Sequence, residues 1–160
     1  MKRKAIVCDI DGVLLNSSHI MQEAEDLELY GDLKWDYFYN HCNDVEVIEE
    51  TKVFIDSFVH ATYEVEVEPN VITIDSVTLI VSTARNEKCR VETIDKLARH
   101  EIFFNRMYMR KQDDRRPASE VKREHLLQIM EEFDVIAFID DDIENCEMAK
   151  SLGVLALRRV

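Results

Sequence analysis

Apolar and polar positions along the chain follow two rhythms. Lys4 to Cys8 is a short, β-branched apolar run, the pattern of a strand buried on both faces. Val77 to Val81 repeats it and runs into "STAR"; Val135 to Ile139 and Val154 to Leu157 repeat it again, and Met107 to Met109 is a weaker version. Between these runs the apolar residues fall at helical spacing. Asp44 to Tyr63 places Val47, Ile48, Phe54, Ile55, Phe58 and Val59 on one stripe, with Asp44 at the N-cap position. Val91 to Ala98 predicts a helix with Ile94, Leu97 and Ala98 inward. A longer amphipathic helix follows Pro117 and runs through Phe133, carrying Val121, Leu126, Leu127, Ile129 and Met130. Ile143 to Leu152 is a last short helix, with Gly153 as its stop. Strands alternating with helices predict an α/β fold with a parallel, doubly wound sheet. Two segments stand outside the scheme. Ser17 to Tyr39 is polar and partly helical, and "YEVEVEPNVITID" alternates with period two around Pro69, as an edge hairpin would.

Composition narrows the functional classes. A chain of 160 residues suits one domain, expected to span 1–160. With 33 acidic against 20 basic residues, the formal charge of -13 repels extended polyanions, so no extended duplex-binding surface is expected. Cys8, Cys42, Cys89 and Cys146 lie far apart without a CxxC pair and read as reduced core thiols. The basic start "MKRK" is followed by an apolar stretch that aspartate interrupts at once, so neither a signal peptide nor a membrane span is expected, and the cytoplasm is the expected location.

In a doubly wound sheet, side chains at the carboxyl ends of neighbouring strands converge on one crevice. Here those ends are polar. Asp9 and Asp11 end the first strand, Thr83 and Arg85 the second, and Asp140, Asp141 and Asp142 follow "VIAFI". Carboxylates from two strand ends repel unless a cation lies among them, and a hard divalent ion with oxygen ligands fits. Period-two geometry puts residues 9 and 11 on one side of the strand, while Gly12 permits a sharp exit. Asp142 also suits a helix N-cap. Residues Arg106 to Arg123 hold seven of the 20 basic residues (Arg106, Arg110, Lys111, Arg115, Arg116, Lys122, Arg123) against Asp113, Asp114 and Glu120, which reads as a local cationic patch.

The ordered set "DIDGV", "TAR", a lysine at a helix start and "IDD" resembles the haloacid dehalogenase-like phosphohydrolase superfamily. From Arg110 to Val154 the chain is similar to the 3′-phosphatase domain of phage polynucleotide kinase/phosphatases, whose arginine, aspartate, arginine and lysine spacing Arg110, Asp114, Arg116 and Lys122 reproduce. The resemblance implies a magnesium-dependent phosphatase of Rossmann-like fold. Asp9 would be the nucleophile forming an aspartyl-phosphate, and Asp11 the general acid and then base. Thr83 would hold a phosphoryl oxygen and Arg85 would fork onto it. Lys122 would neutralise charge on nucleophile and phosphate. Asp9, the carbonyl of Asp11, Asp140 and Asp141 would form the Mg2+ site, with the direct ligand among the last two left open. Arg110 and Arg116 would bind substrate.

The implied substrate is a phosphorylated nucleic-acid end or a nucleotide. Motifs of this kind specify a reaction and not a leaving group, so a nucleotidase is the nearest alternative. A phospho-accepting receiver domain has similar groups, but its lysine follows the acidic pair, whereas Lys122 precedes it. The family's acidic pair is often followed by arginine, where this chain has Asp142. Residues from about 16 to 44 occupy the place of the superfamily's small cap, and "KWDYFYNH" there can line the entrance and stack on a base, or pack as an ordinary helix. No GxxxxGK[ST] occurs, so no kinase half is expected.

Overall fold

Residues 2–59, 61–69 and 71–160 of the computed structural model are described here, without the side chains of 65–68 and 71–73. The first apolar run forms β1 (Arg3–Cys8), and four further parallel strands flank it: β4 (Thr78–Asn86), β5 (Arg106–Arg110), β6 (Phe133–Asp140) and β7 (Ala156–Arg158). Their order is β5-β4-β1-β6-β7, so the chain winds outward on one side of β1 and then crosses to the other. This is the predicted doubly wound α/β sheet. Alternation along the strands divides the core in two. Ile6, Cys8, Leu79, Val81 and Ile139 face a cluster with Ile20, Phe38, Ile55 and Leu97. Ala5, Val7, Ile80 and Phe138 face the opposite cluster with Leu126, Ile129 and Ala149.

The helices are α1 (Ser18–Asp26), α2 (Asp32–His41), α3 (Glu49–Val59), α4 (Arg90–Arg99), α5 (Ala118–Glu132) and α6 (Ile143–Ser151). Several differ from the periodicity. The helix expected over Asp44 to Tyr63 begins at Glu49, because Val47 bridges to Leu15 and Ile48 N–H donates to the Leu14 carbonyl. Asp44 therefore caps nothing, and Tyr63 already lies in β2 (Thr62–Glu68). His60, at that expected helix's end, is outside the described residues. In α4 Leu97 is buried as expected, but its buried companion is Thr93, one turn earlier, while Ile94 and Ala98 face solvent. Leu127 of α5 is likewise exposed, and the polar Lys122 and His125 take inward positions instead. The predicted hairpin forms, with β2 antiparallel to β3 (Val71–Ser76), but as a separate two-stranded sheet and not at the edge of the main one. Asn70 and most of the alternating side chains lie outside the described residues. All four cysteines are free and buried, as expected.

Candidate active site

Register assembles the site. Cys8 pairs with Val81 of β4 and Ile139 of β6, so the next residues outward, Asp9, Ser82 and Asp140, sit side by side at the carboxyl edge. The Asp9 N–H donates to the Ile139 carbonyl at 2.9 Å, which holds the two acidic strand ends together. This is the point where strand order reverses about β1, the usual position of a ligand crevice in such sheets.

Asp9 and Asp140 are both buried, and the cation between them is Lys122 from the first turns of α5. Its Nζ lies 2.7 Å from Asp9 Oδ2 and 2.7 Å from Asp140 Oδ2, with the residue only 1 % exposed. Two carboxylates keep this buried ammonium charged, pushing its pKa up against the opposing effect of burial. Asp9 moves the same way for another reason. Burial pushes its carboxyl up to about 7, opposed by Lys122 and reinforced by Asp140 and Asp11. Asp9 Oδ1 is buried and has no hydrogen-bond partner among the described residues.

Asp9, Asp140 and Asp141 each offer an oxygen, all within 4.8 Å of one another. The neighbours distinguish the last two. Asp140 Oδ1 accepts from the Asp142 N–H at 3.0 Å and from Asn145 Nδ2 at 2.9 Å, while its Oδ2 faces Lys122. Asp141 is only partly buried, and its carboxylate lies over Gly12. Gly12 has φ +73°, and a Cβ there would overlap that carboxylate, so glycine is required both for the turn and for the room. An orphaned buried oxygen within an all-carboxylate cluster is the donor set of a hard divalent cation. Asp142 is the N-cap of α6, accepting from the Glu144 N–H at 2.8 Å.

Asp11 and Arg85 form one unit. Arg85 Nε and Nη2 donate to the two Asp11 oxygens at 2.8 and 2.7 Å. Nη2 also donates to the Cys42 carbonyl at 3.0 Å, and Nη1 to Asn43 Oδ1 at 2.7 Å and Thr93 Oγ1 at 3.2 Å. All five guanidinium N–H donors are thus engaged by protein acceptors. The expectation that Arg85 forks onto a phosphoryl group gives way to a grip on Asp11. Ser17 Oγ also donates to Asp11 Oδ1. Oδ1 thus accepts from both Arg85 and Ser17, whereas Oδ2 accepts from Arg85 Nε alone and keeps a lone pair for a proton.

Thr83 is buried and lines the cleft, while Ser82 turns to the α5 side and meets His125 Nδ1 at 3.0 Å. The hydroxyl offered to the cleft is therefore that of Thr83. Asn145, Ser17, Asn43 and His125 have no motif around them in the sequence; only tertiary contact shows their part.

The expected cationic patch does not form as one surface. Arg106 is paired with Glu132 at 2.7 Å, Lys111 lies 4.0 Å from Glu124, and Lys122 is buried. Arg110, Arg115 and Arg116 do line the cleft, a cavity of 520 Å³ that also includes Asp9, Asp11, Thr83 and Lys122. Arg110 ties its loop to β4, donating to the carbonyls of Ala84 on that strand (3.0 Å) and of Arg116 in the loop itself (2.6 Å). Arg116 grips Asp114 at 2.6 Å and Glu124 at 2.7 Å, and holds the Asp114 carboxyl well below the usual carboxylate range.

A carboxylate at a strand end, bridged by a buried lysine to the first member of an acidic pair on the adjoining strand, is thus built here, and the family match identifies the chain as a haloacid dehalogenase-like phosphatase. The polynucleotide kinase (PNKP) phosphatase domain matches residues 3–158, and the chain belongs to that family. No curated protein matches the sequence. Among solved structures, a chain of the Pnkp1/Rnl/Hen1 RNA repair complex superposes with a TM-score of 0.71 at 17% identity, covering 99% of this chain and 42% of that one. A haloacid dehalogenase-like hydrolase from Streptococcus pneumoniae gives 0.64 at 14% identity, covering 98% and 84%. A family enzyme from Bacteroides thetaiotaomicron, in complex with magnesium and inorganic phosphate, gives 0.53 at 13% identity, covering 99% and 94%. This chain spans under half the length of the repair-complex chains it matches. Among the described residues no helix is long and apolar enough to cross a membrane.

Proposed function

We propose that this phosphatase is a magnesium-dependent phosphomonoesterase that removes 3′-phosphates from nucleic-acid ends through an aspartyl-phosphate on Asp9. The observation that carries this is the Asp9 carboxylate itself, with one oxygen on Lys122 and the other buried without a partner in the acidic cluster. Asp9 attacks phosphorus and the bond to the 3′-oxygen breaks; Asp11 passes a proton to that leaving oxygen. Water then attacks the aspartyl-phosphate, and Asp11 takes its proton, releasing inorganic phosphate and restoring Asp9. Arg85 and Ser17 keep Asp11 aimed at the cleft throughout. The Thr83 hydroxyl donates to a phosphoryl oxygen, and Lys122 offsets negative charge on both reacting partners.

Asp9, Asp141 and the Asp11 carbonyl would hold Mg2+, with Asp140 fixed beside them by Lys122 and Asn145. The ion would supply charge neutralisation at the phosphoryl oxygens. Arg110 and Arg116 stand at the cleft on the substrate side, and the segment 16–44, containing α1 and α2, serves as a small cap within one domain spanning 1–160. The membership in a polynucleotide kinase phosphatase family and the likeness to an RNA repair complex chain support a nucleic-acid end as substrate. The four free thiols fit the reducing cytoplasm.

The test is a substrate series with the purified chain and magnesium. We expect the highest kcat/KM on 3′-phosphorylated oligonucleotides, lower values on 5′-phosphorylated ones, 3′-mononucleotides and sugar phosphates, loss of activity with chelator, and recovery with magnesium. Asp9→Asn should lower turnover by several orders of magnitude. A preference for free mononucleotides would make the enzyme a nucleotidase, and full activity of Asp9→Asn would overturn the covalent route.

A further inference from the structure

Beside the catalytic cleft lies a second groove of 350 Å³, and the two share Trp35, Tyr39, Arg110, Arg115 and Arg116. Trp35 therefore stands on the wall between them. It is 45 % exposed, an unusual setting for the largest aromatic side chain in a helix whose apolar anchor, Phe38, is buried beneath it. Its position is nonetheless built. Tyr39 stacks against the Trp35 ring at 6.2 Å and 29°, and Phe38 meets it edge-on at 6.2 Å. The Tyr39 hydroxyl accepts from the Asn86 N–H at 3.2 Å, and Phe38 lies 5.9 Å under the Arg85 guanidinium. The shelf is thereby tied to the strand end that carries Thr83 and to the arginine that holds Asp11. Phe38 and Tyr39 hold one side of the Trp35 ring, while nearly half of the residue is open to solvent.

The groove beyond the shelf carries cations suited to phosphate. Lys88 Nζ lies 5.4 Å over the Tyr39 ring and, among the described residues, makes no salt bridge. Among the described residues Arg115 pairs with Asp32 alone, at 3.3 Å between two highly exposed side chains, a pairing that a phosphate can displace. The acidic residues there are Asp32, Asp36 and Asp114, of which Asp114 is already neutralised by Arg116. An exposed aromatic plane flanked by cations, next to a centre that acts on phosphate, matches the chemistry of a single-stranded nucleic acid, whose bases offer π faces and whose backbone offers anions.

We infer that Trp35 is a stacking platform for the base of the 3′-terminal nucleoside, and that Lys88 and Arg115 receive the next internucleotide phosphate in the adjoining groove. This inference rests on the proposed function. It gives that function a reason to prefer oligonucleotides over free mononucleotides, because only a chain that continues past the terminal nucleoside brings a second phosphate to Lys88 and Arg115.

Trp35 is the chain's only tryptophan, so its fluorescence reports directly on the shelf. In the Asp9→Asn protein, which does not turn substrate over, a single-stranded 3′-phosphorylated oligonucleotide should quench the emission, and the same oligonucleotide with an abasic 3′-terminal nucleoside should bind with little quenching. In the otherwise native enzyme, Trp35→Ala should raise KM for the base-bearing end about tenfold. The effect on the abasic end should be several-fold smaller, and Trp35→Phe should recover much of the loss. Lys88→Ala should raise KM for the oligonucleotide more than for a 3′-mononucleotide, which lacks the second phosphate. Equal losses of Trp35→Ala on base-bearing and abasic ends, or no quenching on binding, would overturn the platform while leaving a wild-type preference for 3′-phosphorylated oligonucleotides intact. A wild-type enzyme that ignores those oligonucleotides would overturn the proposed function and the platform together.

Discussion

His125 offers a measurable link between acid and the placement of Lys122. The two residues are one helical turn apart on the inward face of α5, and His125 Nδ1 meets Ser82 Oγ at 3.0 Å on the strand that also carries Thr83. Burial pushes the imidazole down to about 4, outweighing the backbone hydrogen bond at Met109 and the nearby Glu124 carboxylate. An imidazole depressed in the folded state favours unfolding once protons are available. Its contribution is complete above the unfolded value of about 6.5 and is lost as pH falls toward 4. With those two values, the difference in proton binding amounts to about 0.2 kcal/mol at pH 7 and about 2 kcal/mol at pH 5. Urea unfolding at pH 7 and pH 5 measures it. Other groups titrate over the same range, Asp9 with the opposite sign, so the informative quantity is the difference between wild type and His125→Gln. That variant keeps an amide to meet Ser82 and has nothing to protonate. We expect wild type to lose about 2 kcal/mol more than His125→Gln between the two pH values. Equal losses would show that His125 is not held neutral by its burial.

Two further substitutions test how the site is held. Arg85→Lys replaces five guanidinium donors with one ammonium, leaving Asp11, Asn43, Thr93 and the Cys42 carbonyl short of partners. We expect a loss of about 3 kcal/mol, a melting temperature lower by roughly 6–12 °C, and a fall in kcat; an unchanged melting curve would show that the fork does not brace the site. Gly12→Ala forces a side chain at φ +73° and into the space of the Asp141 carboxylate. It should cost more than about 1 kcal/mol in thermal or urea unfolding and weaken magnesium binding in calorimetry about tenfold or more. Unchanged magnesium affinity would mean that Asp141 does not need that position.

The sheet was legible in the sequence because strands buried on both faces have little freedom in composition. Lys4 to Cys8, Val77 to Val81 and Val135 to Ile139 are nearly continuous apolar runs, and the structure finds a strand at each. The polar ends were legible with them, since Asp9 and Asp140 follow their runs directly and Thr83 follows Val77 to Val81 with one residue between. Helices were less legible at their edges and faces. Thr93, Lys122 and His125 are polar residues in buried positions, made acceptable by Arg85, by two carboxylates and by Ser82, and no periodicity of apolar residues marks such places. The start of α3 was hidden for a related reason, because Val47 and Ile48 are held by Leu15 and Leu14 from across the fold.

What the linear chain determines about this protein is which groups exist, their order, and their place at the ends of buried strands. Those are local properties, carried by side-chain chemistry and by period. Which group faces which is a property of register and packing. Only the pairing of Cys8 with Val81 and Ile139 sets Asp9 beside Asp140. Only the docking of α5 puts Lys122 2.7 Å from both. Arg85 turned from an expected phosphate ligand into the holder of Asp11 because Asn43, Cys42 and Thr93, distant in sequence, converge on its remaining donors. A buried guanidinium must satisfy all its N–H groups, and which acceptors are within reach is decided by the folded chain alone.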